Sequence, residues 1–318
     1  MTNASRFVSL TGGLGNQLFQ YAAVLYESEN REVALVTHLG APRKSINGKP
    51  EIFSFKLEAN EIFAKASWLV KKVAGYSLRQ GLYRSKIEEI KLVRIVMLRL
   101  GEAILCLHFR KRLSLLICAG VGYSELPNPG RNQLLIGYFQ SYRWASDPAV
   151  FEKLQRIELH NYSKKYTEYQ ELAKVEKPLI VHIRLGDYKN ETNFGILPKS
   201  YYEKAIQQQL SSEKYGSVWL FSDELHAARE LIPKNLGIKV RAIEELDHSA
   251  AATLQVMRLG HGYVIANSTY SWWGAFLALR PDVEVIAPSP WFRNIDEPVQ
   301  LIPPHWKRCD AGWGQFQK

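Results

Sequence analysis

Between residues 178 and 289, short apolar runs alternate with stretches of helical spacing, and this restricts the fold more than any other feature. The runs are 179–183 (LIVHI), 217–222 (SVWLFS), 239–243 (KVRAI), 262–266 (GYVIA) and 284–287 (EVIA). Most are rich in the β-branched and aromatic residues that favour strands. Helical stretches fall between them at 201–210, 226–231, 250–258 and 271–279. Strand–helix alternation at this length argues for a parallel sheet covered by helices. Ligands of such sheets bind beyond the carboxyl ends of the strands. The residues that follow each run are therefore the first candidates for chemistry.

The first run belongs to PLIVHIRLGDY, residues 178–188, and ends at a Gly186-Asp187 turn. His182 and Arg184 share a parity that Val181 and Ile183 do not, so both point to one face near the strand's carboxyl end. Arginine offers a planar fork of donors suited to phosphate. A surface arginine paired with Asp187 satisfies the same pattern, and spacing alone leaves both readings open. The second run ends in Asp223-Glu224. Asp223 has the acceptors to take hydrogen bonds from guanine N1–H and N2–H₂, and it also suits a helix N-cap. After the fourth run come Asn267, Ser268, Thr269 and Ser271, at the start of a helix. Backbone N–H groups and hydroxyls there suit phosphate oxygens, although Ser and Thr also cap many helices for purely structural reasons. Trp272 and Trp273 open an apolar helix and read as core.

The N-terminal half is less regular. A strand at 7–10 runs into TGGLGN, residues 11–16, and then into a helix. The spacing is GGxGN rather than GxGxxG, so it is no dinucleotide fingerprint. Gly15 and Asn16 sit where a helix N-terminus exposes N–H groups, a natural anion site; a tight β–α turn is the plainer reading. Further strands are expected at 32–37 and 134–139, and residues 51–55 are expected to dock against this half. Residues 148–173 read as a helical crossover. Residues 67–118 are basic and apolar by turns. Ile87, Ile90, Val93 and Met97 share one helical face, and 104–118 sets His108, Arg110, Lys111 and Arg112 among Leu and Ile. Such a segment either lies on an anionic membrane or turns a solvated basic face outward over buried apolar residues.

A chain of 318 residues accommodates two ordinary domains, expected at 1–150 and 151–318. The formal charge of +10 suits an anionic partner. Nucleic acid is the least supported, because no zinc-finger spacing, RNP-type motif or basic recognition helix is evident. Three widely spaced cysteines suggest free thiols in a reducing compartment. No apolar run reaches the length of a membrane span, and residues 1–10 lack a signal-peptide pattern, so a cytoplasmic location is expected. The chain holds no Asp-x-Asp triplet, the usual metal-binding signature of nucleotide-sugar transferases, so neither a metal nor another cofactor is expected.

Taken together and in order, TGGLGNQLFQYA (11–22), HIRLGD (182–187), FSDE (221–224) and ANSTYSWWGAFLA (266–278) closely resemble the α-1,2-fucosyltransferases of glycosyltransferase family 11. The resemblance runs from about residue 7 to the end and is weak between about 40 and 130. It implies an α/β, GT-B architecture: two Rossmann-like domains facing a cleft, the first taking the acceptor and the second GDP-fucose. It further implies inverting, metal-independent transfer of L-fucose to a galactose hydroxyl through an α-1,2 linkage, in bacterial surface polysaccharide (O-antigen) synthesis. The implied partners are GDP-fucose and a galactose-containing oligosaccharide or lipid-linked glycan, with peripheral contact at an anionic membrane a further possibility. In that frame Arg184 is the cation for the leaving diphosphate. Asn267, Ser268, Thr269 and Ser271 supply further donors, and Asp223 reads guanine. His182 adjoins the nucleotide, and Gly15 and Asn16 lie near the diphosphate or the sugar. Inversion needs a single base, for which Asp187 and Glu191 are the candidates. Many family members carry a second arginine where this chain has Leu185. Two rival readings are another GDP-sugar transferase and a non-catalytic glycan- or nucleotide-binding protein.

Overall fold

The computed structural model describes residues 5–28, 31–62, 65–82, 92–118, 120–124, 132–212 and 214–313. The chain divides into two compact units: Met1–Glu158 with Pro298–Leu301, and Leu159–Glu297 with Ile302–Lys318. Each is a parallel sheet flanked by helices, the Rossmann-like layer from which GT-B architecture is made.

The first unit holds β1 (Arg6–Ser9), β2 (Val33–Val36), β3 (Asn60–Ile62), β4 (Leu113–Ile117) and β5 (Asn132–Ile136) in the order β3-β2-β1-β5-β4. The central β1 is buried throughout and pairs Arg6 with both Val33 and Gln133. Helix α1 (Leu14–Ser28) follows the glycine turn and buries Leu18, Phe19, Ala22 and Val24. Ile52 and Phe55 are buried in this unit, as the sequence suggests for 51–55. Two further helices follow, α2 (Trp68–Leu82) and α3 (Leu92–Phe109). Of the helix expected at 87–98, residues 87–91 lie outside the described residues, and the described part belongs to α3, which runs on to Phe109. The basic stretch 104–118 is not one amphipathic helix. The chain turns at Arg110, with φ of 50°, and residues from Leu113 become β4. Pairing with β5 and burial of Leu113 and Leu116 override the local helical pattern there.

Short helices α4 (Tyr142–Ala145) and α5 (Pro148–Gln155) close the first unit, and α6 (Lys164–Glu176) opens the second. The five runs anticipated in the second unit are β6 (Pro178–Ile183), β7 (Ser217–Ser222), β8 (Lys239–Ile243), β9 (Gly262–Val264) and β10 (Glu284–Ser289). Between them lie α7 (Lys199–Leu210), α8 (Leu225–Arg229), α9 (Ala250–Met257) and α10 (Thr269–Phe276). A sixth strand, β11 (Lys307–Asp310), completes the order β11-β10-β9-β6-β7-β8. Its sequence KRCD has no apolar run because it is a solvent-facing edge, where charge discourages further pairing. The stretch after residue 288, rich in Pro and Trp and expected from the sequence to pack back on the first domain, splits between the two units. Pro298–Leu301 belongs to the first unit, where the Ser141 hydroxyl and the Tyr142 N–H donate to the Gln300 carbonyl at 3.0 and 2.9 Å. Trp306 packs in the second unit, its ring 5.5 Å from that of Trp272. Among the described residues no helix is long and apolar enough to cross a membrane.

Glu176 ties the base of the second sheet together. Its carboxylate accepts from Arg241 Nη2 at 2.6 Å, Trp219 Nε1 at 2.7 Å and Ser217 Oγ at 3.0 Å. Burial alone would raise its pKa, but these donors and the Arg241 charge outweigh burial and hold it at about 2, against 4.5 when unperturbed. The folded pKa is depressed, so this contribution is complete above the unfolded value and disappears as pH falls toward 2. Glu176→Gln should cost about 2 kcal/mol at neutral pH and flatten the acid limb of stability between pH 4.5 and 2, read by urea unfolding across that range.

Candidate active site

The end of β6 is built by alternation. Leu179, Val181, Ile183 and Leu185 all enter one buried cluster, which sends the alternate residues His182 and Arg184 the other way. Leu185, where the family resemblance leads one to expect a second arginine in many members, is thus a core residue here and adds no charge.

Arg184 is held by two aspartates. Nε and Nη2 donate to Asp187 Oδ1 at 3.0 and 2.7 Å, and Nη1 lies 3.2 Å from Asp223 Oδ2. Asp223, just past β7, also accepts the Leu185 N–H at 3.0 Å through Oδ1. One carboxylate thus fastens both the backbone and the side chain that end the neighbouring strand. Gly186 is required by this approach, since a Cβ there would collide with Asp223 Oδ2. The Arg184 side chain is 17% exposed, Asp223 24% and Asp187 50%. Tyr188 lies under the guanidinium at 5.7 Å, and its hydroxyl donates to the Asn267 carbonyl at 3.0 Å, joining the turn after β6 to the turn after β9. Burial pushes the Tyr188 phenol up, so it serves as a neutral donor. Beside this group Lys189 and Glu224 pair at 2.6 Å.

His182 is buried, and burial first and the Arg184 charge second bring its pKa down to about 3. It is neutral at physiological pH and is not a general base that titrates there. Its Nδ1 has no hydrogen-bond partner among the described residues. Glu191 is exposed, in the loop after Asp187.

The expected phosphate donors divide. The Asn267 side-chain amide donates inward to the Phe194 and Gly195 carbonyls at 2.9 and 3.1 Å, so it fastens a loop rather than facing solvent. The Ser271 hydroxyl is fully buried and donates to the Ser268 carbonyl at 3.1 Å. Ser268 Oγ accepts the Tyr270 N–H at 3.3 Å as the N-cap of α10. Thr269 is half-buried at the first position of that helix. Trp272 and Trp273 are core residues, as their apolar helix suggests.

In the first unit the glycine turn is organised by residues that the sequence does not mark. The Leu14 N–H, at the start of α1, donates to Glu51 Oε2 at 2.8 Å. A buried carboxylate therefore already meets one of the free N–H groups at that helix N-terminus. Gln17 Nε2 donates to the Gly12 and Arg43 carbonyls, Gln20 takes the Thr11 N–H, and Gln140 donates to Asn16 Oδ1 at 3.0 Å. Gly12, with φ of 73°, leaves room for the Asn16 amide that a Cβ would meet. Gly15 is buried inside α1. Glu51 lies 37 residues from Leu14 in sequence, so no local spacing announces it.

Residues 126–296 match the family model of glycosyl transferase family 11, more than half of the chain. The chain belongs to glycosyltransferase family 11. This family-11 glycosyltransferase is 27% identical to the O-antigen biosynthesis glycosyltransferase WbnK of Escherichia coli, over 89% of this chain and 93% of that one. It is 23% identical to an alpha-1,2-colitosyltransferase of Escherichia coli, over 97% and 98%. Among solved structures it has a loose likeness to the fucosyltransferase NodZ from Bradyrhizobium, at 14% identity, a TM-score of 0.44 and coverage of 90% and 95%.

If Asp223 fastens β6, Asp223→Ala should speed hydrogen exchange of the Leu185 amide about tenfold, while Asp187→Ala leaves it nearly unchanged. Equal effects of the two substitutions would show that the strand end is held in some other way.

Proposed function

We propose that this family-11 enzyme transfers L-fucose from GDP-β-L-fucose to a galactose hydroxyl of a glycan acceptor, forming an α-1,2 linkage with inversion and without a metal. The observation that carries this reading is Arg184, presented at the carboxyl end of β6 between two aspartates. The relatives' names point to the setting: one is an O-antigen biosynthesis glycosyltransferase and the other makes an alpha-1,2 bond. A cytoplasmic enzyme that builds a bacterial surface polysaccharide on a lipid-linked glycan fits both.

In departing, GDP gains negative charge, which a preorganised cation stabilises. With Asp187 and Asp223 the Arg184 group carries a formal charge of −1, so a diphosphate must replace one carboxylate. Asp187 is the one to exchange, being half exposed, whereas Asp223 is also fixed by the Leu185 amide. The N-terminus of α10 and the Thr269 hydroxyl add donors to the diphosphate. Asp223 Oδ1 already takes the Leu185 N–H and the Ser222 hydroxyl, so it is Oδ2 that keeps a second lone pair for guanine N1–H or N2–H₂. His182 offers the nucleotide a neutral ring nitrogen. The acceptor proton goes to Glu191, or to Asp187 once phosphate has displaced it from Arg184.

The colitosyltransferase relative favours a second reading, the same linkage with a different GDP-deoxysugar. Incubation with GDP-fucose and a β-galactoside in EDTA, with the product linkage read by NMR, tests both readings. The expected product is the α-1,2-fucosyl galactoside, at a rate undiminished by EDTA. Arg184→Ala should lower kcat/KM by about 10²–10³. Near-full activity of that variant removes Arg184 from its role, and loss in EDTA restored by Mn²⁺ defeats the metal-free mechanism. Transfer only from another GDP-sugar selects the second reading.

A further inference from the structure

Helices α2 and α3 each bury one face and leave the other open. Val70 and Ala74 of α2 and Leu105 of α3 join the core of the first unit. Gly101 lets the two helices approach closely, since a Cβ there would lie 3.0 Å from Val73 Cγ1. The opposite faces expose large apolar side chains. On α2 these are Trp68, 72% exposed, and Leu69; on α3 they are Ile95, Val96, Leu100 and Leu107, the last 80% exposed. A helix as apolar as α3 is ordinarily covered on all sides, and a contiguous exposed apolar surface marks an interaction site.

Charge identifies what covers it. Residues 65–82 and 92–112 hold nine Lys and Arg against one Glu, a net +8 of the chain's formal +10. Lys71, Lys72, Arg79 and Arg99 are exposed on the two helices, and Arg110, Lys111 and Arg112 are exposed where α3 ends. Lys72 Nζ lies 5.0 Å from the Trp68 ring centroid, so cation and aromatic share one patch. A second copy of this surface would repel the first. Arg99 and Glu102 pair within α3, and among the described residues no helix is long and apolar enough to cross a bilayer.

We infer that the open face of α2 and α3 docks on an anionic lipid surface, its apolar side chains entering the headgroup boundary and its Lys and Arg meeting lipid phosphates. This rests on neither the donor nor the linkage proposed above. The test is flotation of the full chain with phosphatidylcholine vesicles that contain or lack phosphatidylglycerol. The chain should float with the anionic vesicles at low ionic strength, less as salt rises, and little with neutral ones. Lys71→Gln, Lys72→Gln and Arg79→Gln together should weaken partitioning on the order of a hundredfold. Trp68→Ser with Leu107→Ser should weaken it by at least about tenfold. Both sites are exposed, and circular dichroism matching the parent chain confirms that each variant folds. No flotation with anionic vesicles, or flotation of folded variants equal to the parent, overturns the inference. So does a lipid-free dimer in sedimentation that Trp68→Ser and Leu107→Ser abolish, since the occupant is then a second copy.

Discussion

The contact on which the candidate site depends is the Asp223 carboxylate, which takes the Leu185 N–H on one oxygen and faces Arg184 with the other. It joins the ends of two adjacent parallel strands where the sheet can offer nothing further. Strand ends leave backbone donors unsatisfied, and an unmet buried donor costs about 1–3 kcal/mol. A single side chain meets that need and orients a cation in the same act. Gly186 permits the approach, and Leu185 anchors the turn in the core from the other side. Tyr188 extends the arrangement to the turn after β9, which leads into α10. Arg184, Asp223 and the start of α10 are thus one connected piece, and a change in one is transmitted to the others.

Much of the second unit is legible in the sequence because β6, β7, β9 and β10 are buried almost throughout and read as apolar runs. The parity of β6 also separates Arg184 from the core correctly, since the alternation of a strand is rigid. Legibility fails where tertiary contacts decide. β11 is a charged edge strand and looks like a polar tail. β4 looks like a continuation of α3 until β5 is there to pair with it. Asn267 and Ser271 have the residue types of phosphate donors, yet both donate inward to carbonyls that the sequence does not place near them. Glu51 is the converse case, an ordinary-looking acid that arrives from 37 residues away to cap α1.

The charge of the chain also acquires a location. Read as a bulk number, +10 suits any anion, a sugar nucleotide included. Most of it lies on and beside the two helices of the first unit, while the Arg184 group of the second unit is formally negative. In the proposed function a diphosphate meets one aimed guanidinium, Arg184, and one exchangeable carboxylate, Asp187. The inferred attraction to an anionic surface lies elsewhere, on the two basic helices.

Calorimetric titration of GDP in EDTA, with ADP as control, tests the central claim most directly when run on the parent chain and on Arg184→Ala. The account predicts that the parent binds GDP in preference to ADP and that Arg184→Ala weakens GDP binding about tenfold or more while remaining folded. Equal GDP affinity in the two folded proteins would contradict it, because the guanidinium at the end of β6 would then have no part in holding the diphosphate.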